Sequence, residues 1–305
     1  MYTNSIEMVE VSPRDGLQNE KTMIGTADKL ALIGRALAAG VRRIEVASFV
    51  NPRAVPQMAD AEAVCAGLPE RGDVTYIGLV MNARGADRAL ATGRIDQLGA
   101  VSVATDTFAM ANQGQTSDGS IEAATGIINA ARAAGRFGQV TIAAAFGCPF
   151  EGEVAEDRVV AMAEALSLAA PVEIALADTI GVANPRHVSR LVTRVSEVIA
   201  PIPVRVHFHN TRGTGLANVW AAIEAGARTV DASIGGLGGC PFAPGAAGNV
   251  STEDVVYMLE RAGVHTGLDL AALIATNHWL AEVMGRTLPA MVSKTPAFPK
   301  QSQEG

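Results

Sequence analysis

The chain reads as an α/β protein built as a (β/α)8 TIM barrel with an extra C-terminal helix. Three features lead there. Eight strand-like runs are each followed by a helix-like segment, the strands are apolar on both faces, and several helices end in Ala-Gly. The first run begins near Ile6 and leads through Ser-Pro-Arg14-Asp15-Gly to a helix whose stripe is Leu30, Ile33 and Leu37, with a stop at Gly40. The second, near Arg42, contains Ile44-Glu45-Val-Ala. The third and fourth begin near Val74 and Leu98, and the helix after the fourth stops at Gly135. The fifth starts near Gln139 and the sixth near Val172, where Val-Glu-Ile-Ala-Leu-Ala-Asp178 has the continuous apolar look of a buried parallel strand. Asn184-Pro185 opens the next helix, with Val188, Leu191, Val192, Val195 and Val198 on one stripe. The seventh run is Pro203-Val-Arg-Val-His-Phe-His209 and the eighth starts near Thr229, with stops at Gly226 and Gly263. A last helix from about Leu268 to Met284 and a tail to Gly305 either cap the barrel or make an oligomer contact in a dimer or tetramer. Residues 1–305 are thus expected to form one catalytic domain, with 268–305 as its extension. Eight strands also suit an open doubly wound sheet, but no Gly-x-Gly-x-x-Gly follows the first strand.

With 49% hydrophobic and 18% charged residues over 305 positions, the chain is rich enough for a large core and too apolar for global disorder. Its 24 Lys plus Arg against 31 Asp plus Glu, without a basic cluster, argue against nucleic-acid binding. Cys65, Cys148 and Cys240 are too few and too dispersed for a disulfide framework, so free thiols in a reducing compartment are expected. No apolar stretch approaches the ~18 residues needed to span a bilayer. No charged and apolar leader precedes Ile6, and the expected location is the cytoplasm.

Side chains two apart on a strand share a face, so His207 and His209 point the same way. Alone they are equally well two unrelated strand histidines. In a closed barrel, however, strands 7, 8, 1 and 2 are neighbours, and enzymes of this fold place their sites at the C-terminal strand ends. Asp15 follows strand 1, Glu45 ends strand 2, His207 and His209 end strand 7 and Asn249 follows strand 8. Two imidazoles, a carboxylate and a carboxamide converging there suit Mg²⁺ or Mn²⁺, or Co²⁺, better than a thiolate-bound structural Zn²⁺.

Arg14 offers a fixed cation for an enolate or carboxylate oxygen, or else an ion pair with Glu10 or Glu45. Glu45, in an apolar segment, is that cation's partner or a proton-transfer group. Asp178 points to the same mouth, or simply caps a turn before Asn184-Pro185. The long uncharged loop from Gly235 to Asn249 can move over a ligand, and Cys240 at its centre is a thiol suited to proton transfer or nucleophilic attack once the loop closes. Cys65 reads as a small apolar helix residue and Cys148 as structural.

At these residues the chain resembles the 3-hydroxy-3-methylglutaryl-CoA lyase family, metal-dependent barrels related to isopropylmalate and homocitrate synthases. The resemblance runs from about Ile6 to Gly267. It is carried by Val9-Glu-Val-Ser-Pro-Arg-Asp-Gly-Leu-Gln-Asn-Glu-Lys21, Ser48-Phe-Val-Asn-Pro, Gly147-Cys-Pro-Phe-Glu-Gly, Asp178-Thr-Ile-Gly-Val, Gly236-Leu-Gly-Gly-Cys-Pro-Phe-Ala and the segment ending at Asp254. It implies that Asp15, His207, His209 and Asn249 hold a divalent metal, that Arg14 steadies an enolate and that Cys240 is the lid cysteine. Glu45 and Asp178 would serve catalysis, while Arg14, Gln18, Lys21 and Arg212 would bind an acyl-CoA substrate. The implied reaction is a retro-Claisen cleavage of a 3-hydroxyacyl-CoA that bears a second carboxylate.

The chain departs from the family where substrate is touched. Asn210-Thr-Arg212-Gly-Thr214 replaces Asp-Thr-Tyr-Gly-Gln, Ala54 stands for a frequent tryptophan, and Val80-Met81 replaces Thr-Pro. These changes leave 3-hydroxy-3-methylglutaryl-CoA, citramalyl-CoA and longer 3-branched glutaryl-CoA all open as substrates. A synthase is disfavoured because only about 40 residues follow His265, too few for an accessory domain. A catalytically silent barrel would be expected to have lost a metal ligand or the lid cysteine.

Overall fold

The computed structural model describes residues 5–239, 248–296 and 298. Eight parallel strands close into a barrel in the order of the chain: β1 Glu7–Glu10, β2 Arg43–Ser48, β3 Thr75–Leu79, β4 Gln97–Val103, β5 Phe137–Ala143, β6 Ile174–Asp178, β7 Val204–Phe208 and β8 Thr229–Ala232. Closure is made by β1 pairing with β8, with Val9 opposite Asp231 and Glu10 opposite Ala232. The strand starts lie within two residues of those read from the sequence. Around the barrel lie α1 Thr26–Ala38, α2 Ala61–Ala66, α3 Ala83–Ala91, α4 Asp106–Gln113, α5 Ser117–Ala133, α6 Glu156–Ser167, α7 Pro185–Ile199, α8 Gly215–Glu224 and α9 Thr252–Arg261.

Helix ends follow local chemistry. Asn82, Thr116, Asn184 and Ser251 each accept a backbone N–H of the first turn that follows them. Gly40, Gly135, Gly226 and Gly263 all take positive φ, the left-handed conformation that lets the chain leave a helix. One stripe needs correction. On α7, Val188, Leu191, Val192 and Val195 are buried, but Val198 is half-exposed and Ile199 takes the inward place. A step of four from Val195 holds the face of a 3.6-residue helix, whereas a step of three here turns off it.

The reading of strands apolar on both faces is also corrected, in the N-terminal layer of the barrel. Gln97, Gln139, Glu173 and Arg205 are buried there, joined by Arg43. Arg43 pairs with Glu173 at 2.7 Å, and Arg205 reaches Gln139 Oε1 at 3.1 Å and Glu173 at 3.3 Å. Buried charges persist only where paired and hydrogen-bonded, and these side chains supply one another's partners.

The last helix, α10 Leu270–Met284, packs against α1 and α9 and against the 3₁₀ turn Ile234–Gly236 that follows β8. It therefore buttresses the root of the loop that leads to Asn249. No helix among the described residues is long and apolar enough to cross a membrane.

Candidate active site and metal centre

The site grows from the end of β1. Ser12–Gly16 form a short π-helical turn with Pro13 near its start, which lets consecutive Arg14 and Asp15 both face the barrel mouth. A strand would have sent them to opposite faces. Glu10, buried beneath this turn, accepts the N–H groups of Ser12 at 2.8 Å and Ile234 at 3.0 Å and the hydroxyl of Thr252 at 2.7 Å. It thereby ties the ends of β1 and β8 to α9. Arg14 pairs instead with Glu45 through Nε, and with Asp15 Oδ1 through Nη1 at 2.6 Å.

Asp15, His207 and His209 offer ligand atoms that all lie within 4.8 Å of one another. Asn249 joins them by donating from Nδ2 to Asp15 Oδ2 at 2.8 Å, and also to Leu237 O at 3.0 Å. That leaves its Oδ1 buried without a hydrogen-bond partner among the described residues, and His209 Nδ1 is in the same state. An unsatisfied buried acceptor costs about 1–3 kcal/mol. An oxygen and nitrogen set with such spare lone pairs fits a divalent cation.

His207 Nδ1 lies 2.6 Å from Asp231 Oδ1. A carboxylate only accepts, so Nδ1 carries the proton and Nε2 keeps a free lone pair, the usual arrangement of a metal-bound histidine backed by a carboxylate. Burial opposes protonation of His207, but the Asp231 pair outweighs it and raises its pKa. Burial, with His207 beside it, pushes His209 down to about 4, leaving a neutral imidazole at pH 7. Burial works against ionisation of Asp15, yet Arg14, the two histidines and the Asn249 amide hold it well below the carboxylate range.

A cavity of about 530 Å³ opens over this cluster. Arg14, Asp15, Gln18, Glu45, His207 and His209 line it, with Ala54, Met81 and Gly239. Gln18 Oε1 is buried there without a partner among the described residues. Lys21, Arg212 and Asp178 are not among the lining residues, although Asp178, at the end of β6, is close enough to His207 to feel its charge. Lys21 is exposed and outside the lining. Arg212 is exposed and donates to the carbonyls of Ile180 at 2.8 Å and Gly181 at 3.0 Å, which commits its charge to the turn after β6. Asp178 accepts the N–H groups of Val182 and Ala183, both at 2.9 Å, and so closes that same turn. Burial raises its pKa, with those two N–H groups opposing. Cys240 lies outside the described residues. Cys65 is buried in α2, and Cys148 accepts from Thr105 Oγ1 at 3.0 Å in a tight turn.

Asp231 and Arg205 line the cavity and were not singled out in the sequence. Strand parity could have found them: Asp231 is an acid inside β8 that pairs in register with His207, and Arg205 stands two residues before His207 on its face.

The HMGL-like family model matches residues 5–280. This chain belongs to the HMGL-like family. Among HMGL-like relatives, the (R)-citramalyl-CoA lyase of Chloroflexus aurantiacus is 45% identical, over 97% of this chain and 96% of that protein. Hydroxymethylglutaryl-CoA lyase YngG of Bacillus subtilis is 38% identical, over 95% and 96%. The structure of an HMG-CoA lyase from Acinetobacter baumannii in complex with coenzyme A and 3-methylmalate superposes with a TM-score of 0.93 at 42% identity, covering 99% of this chain and 98% of that one. Divalent-metal dependence is a property of the HMGL-like family, in keeping with the ligand cluster here.

Proposed function

We propose that this chain is a divalent-metal-dependent carbon–carbon lyase that cleaves a 3-hydroxy-3-methylglutaryl-CoA-type substrate to acetyl-CoA and a keto acid, acetoacetate. The observation that carries the reading is the meeting of Asp15, His207, His209 and Asn249, two of them with spare buried lone pairs, beneath a cavity that also contains Arg14. These four would hold Mg²⁺ or Mn²⁺, with Co²⁺ a third option. When bound, the ion supplies Lewis acidity that lowers the pKa of the substrate's hydroxyl.

The chain's own groups do the rest. Asp231 fixes the ring of His207, and Glu45 holds Arg14 over the cavity. Glu45 would take the hydroxyl proton. The oxygen's electron pair then forms the ketone as the C2–C3 bond breaks, and that bond's pair becomes the enolate of the thioester. Arg14 meets the enolate charge. Cys240 returns a proton to C2, giving acetyl-CoA. Gln18, which lines the cavity, would bind the acyl group, Asp178 would serve catalysis from the end of β6 beside His207, and Arg212 supports the turn after β6.

A second reading, citramalyl-CoA cleavage to acetyl-CoA and pyruvate, is favoured by the 45% identity to the Chloroflexus enzyme, against 38% to the Bacillus hydroxymethylglutaryl-CoA lyase and 42% to the Acinetobacter one. Dispersed cysteines and the lack, among the described residues, of a helix fit to cross a membrane support a cytoplasmic setting. The test is a product assay on Mn²⁺-loaded protein with both substrates in parallel. Acetoacetate and acetyl-CoA are expected. Pyruvate alone would move the assignment to the second reading, and no acetyl-CoA from either would reject both.

A further inference from the structure

Arg205 is an anomaly in a barrel wall. Its side chain is only 3% exposed, yet it lines the floor of the cavity, one inward step below His207 on β7. Two residues of strand separate them, roughly 6–7 Å. The guanidinium has two edges. The terminal one is committed, Nη1 donating to Gln139 Oε1 at 3.1 Å and lying 3.3 Å from Glu173. The other, between Nε and Nη2, is the edge that takes a carboxylate with two parallel hydrogen bonds. Here it carries one bond, from Nη2 to Thr141 Oγ1 at 3.1 Å. Nε is buried with no hydrogen-bond partner among the described residues, because Asp231 Oδ2 lies 3.5 Å away without the alignment of a bond. Thr141 also lines the cavity, so the bond that holds this edge joins two lining residues.

We infer that Arg205 is a specificity-determining residue, whose Nε and Nη2 edge reads the free carboxylate of the acyl group. The site is thereby restricted to acyl-CoA thioesters that carry an acid beyond the hydroxyl-bearing carbon. This rests on the lyase reading above, and deepens it. Thr141 is a positioning residue that holds the edge in place.

The experiment is a chemical mutant cycle. Wild type, Arg205→Lys and Thr141→Val are assayed on 3-hydroxy-3-methylglutaryl-CoA and citramalyl-CoA, and on the carboxamide of each, in which only the carboxylate is replaced. The preference of wild type for acid over amide is expected to shrink at least about tenfold in Arg205→Lys, through KM more than kcat. A smaller loss in the same direction is expected for Thr141→Val, which keeps every buried charge and so covers the case in which Arg205→Lys does not fold. Calorimetry gives a second reading, with pyruvate, acetoacetate and Mn²⁺ titrated into each protein. The keto acids should bind more weakly to the variants while the Mn²⁺ Kd stays put. Equal losses on acid and amide, or a weakened Mn²⁺ Kd with unchanged keto-acid binding, would overturn the inference by showing that Arg205 acts only on the fold or on Asp231. If wild type cleaves neither acid, the lyase reading falls, and the keto-acid titrations still decide whether Arg205 reads a carboxylate.

Discussion

Asp231 shows how one side chain can set the chemistry of its neighbour. Its Oδ1 fixes the proton on His207 Nδ1 and frees Nε2. Asp231→Asn retains the shape but removes the obligate acceptor, so either tautomer of His207 becomes acceptable. Mn²⁺ affinity should fall about 10- to 100-fold, the usual effect of removing a group that orients a metal-bound histidine. Calorimetric titration checks this, and an unchanged Kd would count against the assigned tautomer. Individual residues were unevenly readable. The two histidines, Asp15 and Asn249 stand out because their types are rare at strand ends and suit one ion. Arg212 has an equally suggestive type, but the turn after β6 uses its charge locally, on the Ile180 and Gly181 carbonyls. Residue type shows what a side chain can do, and only tertiary geometry shows which partner takes it.

Helix α9 begins with a pair of acids that bind neighbouring segments together. Both oxygens of Glu253 lie 3.1 Å from Gly235 N–H, and Oε1 also accepts from Asn277 of α10 and from Ser293 at 3.1 Å. Asp254 accepts the N–H groups of Met291 and Val292. Burial pushes Glu253 up to about 7 from the ordinary 4.5, with the Asn277 and Gly235 hydrogen bonds opposing and Asp254 adding to the rise. The folded value lies above the unfolded one, so the protonated group stabilises the fold. That contribution is complete below about pH 4.5 and is lost as pH rises through about 7, an amount on the order of 3 kcal/mol. Glu253→Gln should therefore gain stability relative to wild type as pH is raised across this window. Denaturant unfolding at pH 4.5 and 7.5 measures it, and a constant difference between the two proteins would refute the titration. Among the elements, strand starts and helix stops were plain from hydrophobic period and Ala-Gly pairs. The π-helical turn at Ser12–Gly16 was not, since its geometry is imposed from outside, by Glu10 binding the end of β8 and α9 at once.

Across the molecule, ring closure creates the site. Asp15 and Asn249 are separated by most of the chain, and they meet because β1 pairs with β8 and β8 with β7. That much follows from counting eight strands, which is why ligands scattered in sequence could be expected to converge. The polar floor made by Arg43, Gln139, Glu173 and Arg205 could not be foreseen from apolar strand patterns, because each charge is tolerated only by partners from other strands. Together these layers describe a barrel with a charged floor, a cluster of metal-ligand-type side chains above it and a cavity over both. The claim on which the account turns is that Asp15, His207, His209 and Asn249 hold a single cation. The most direct measurement is a calorimetric titration of metal-stripped protein with Mn²⁺, in wild type and in Asp15→Asn. The account predicts one saturable site per chain in wild type and at least about tenfold weaker binding in the variant. No saturable site, or the same affinity in both proteins, would contradict it.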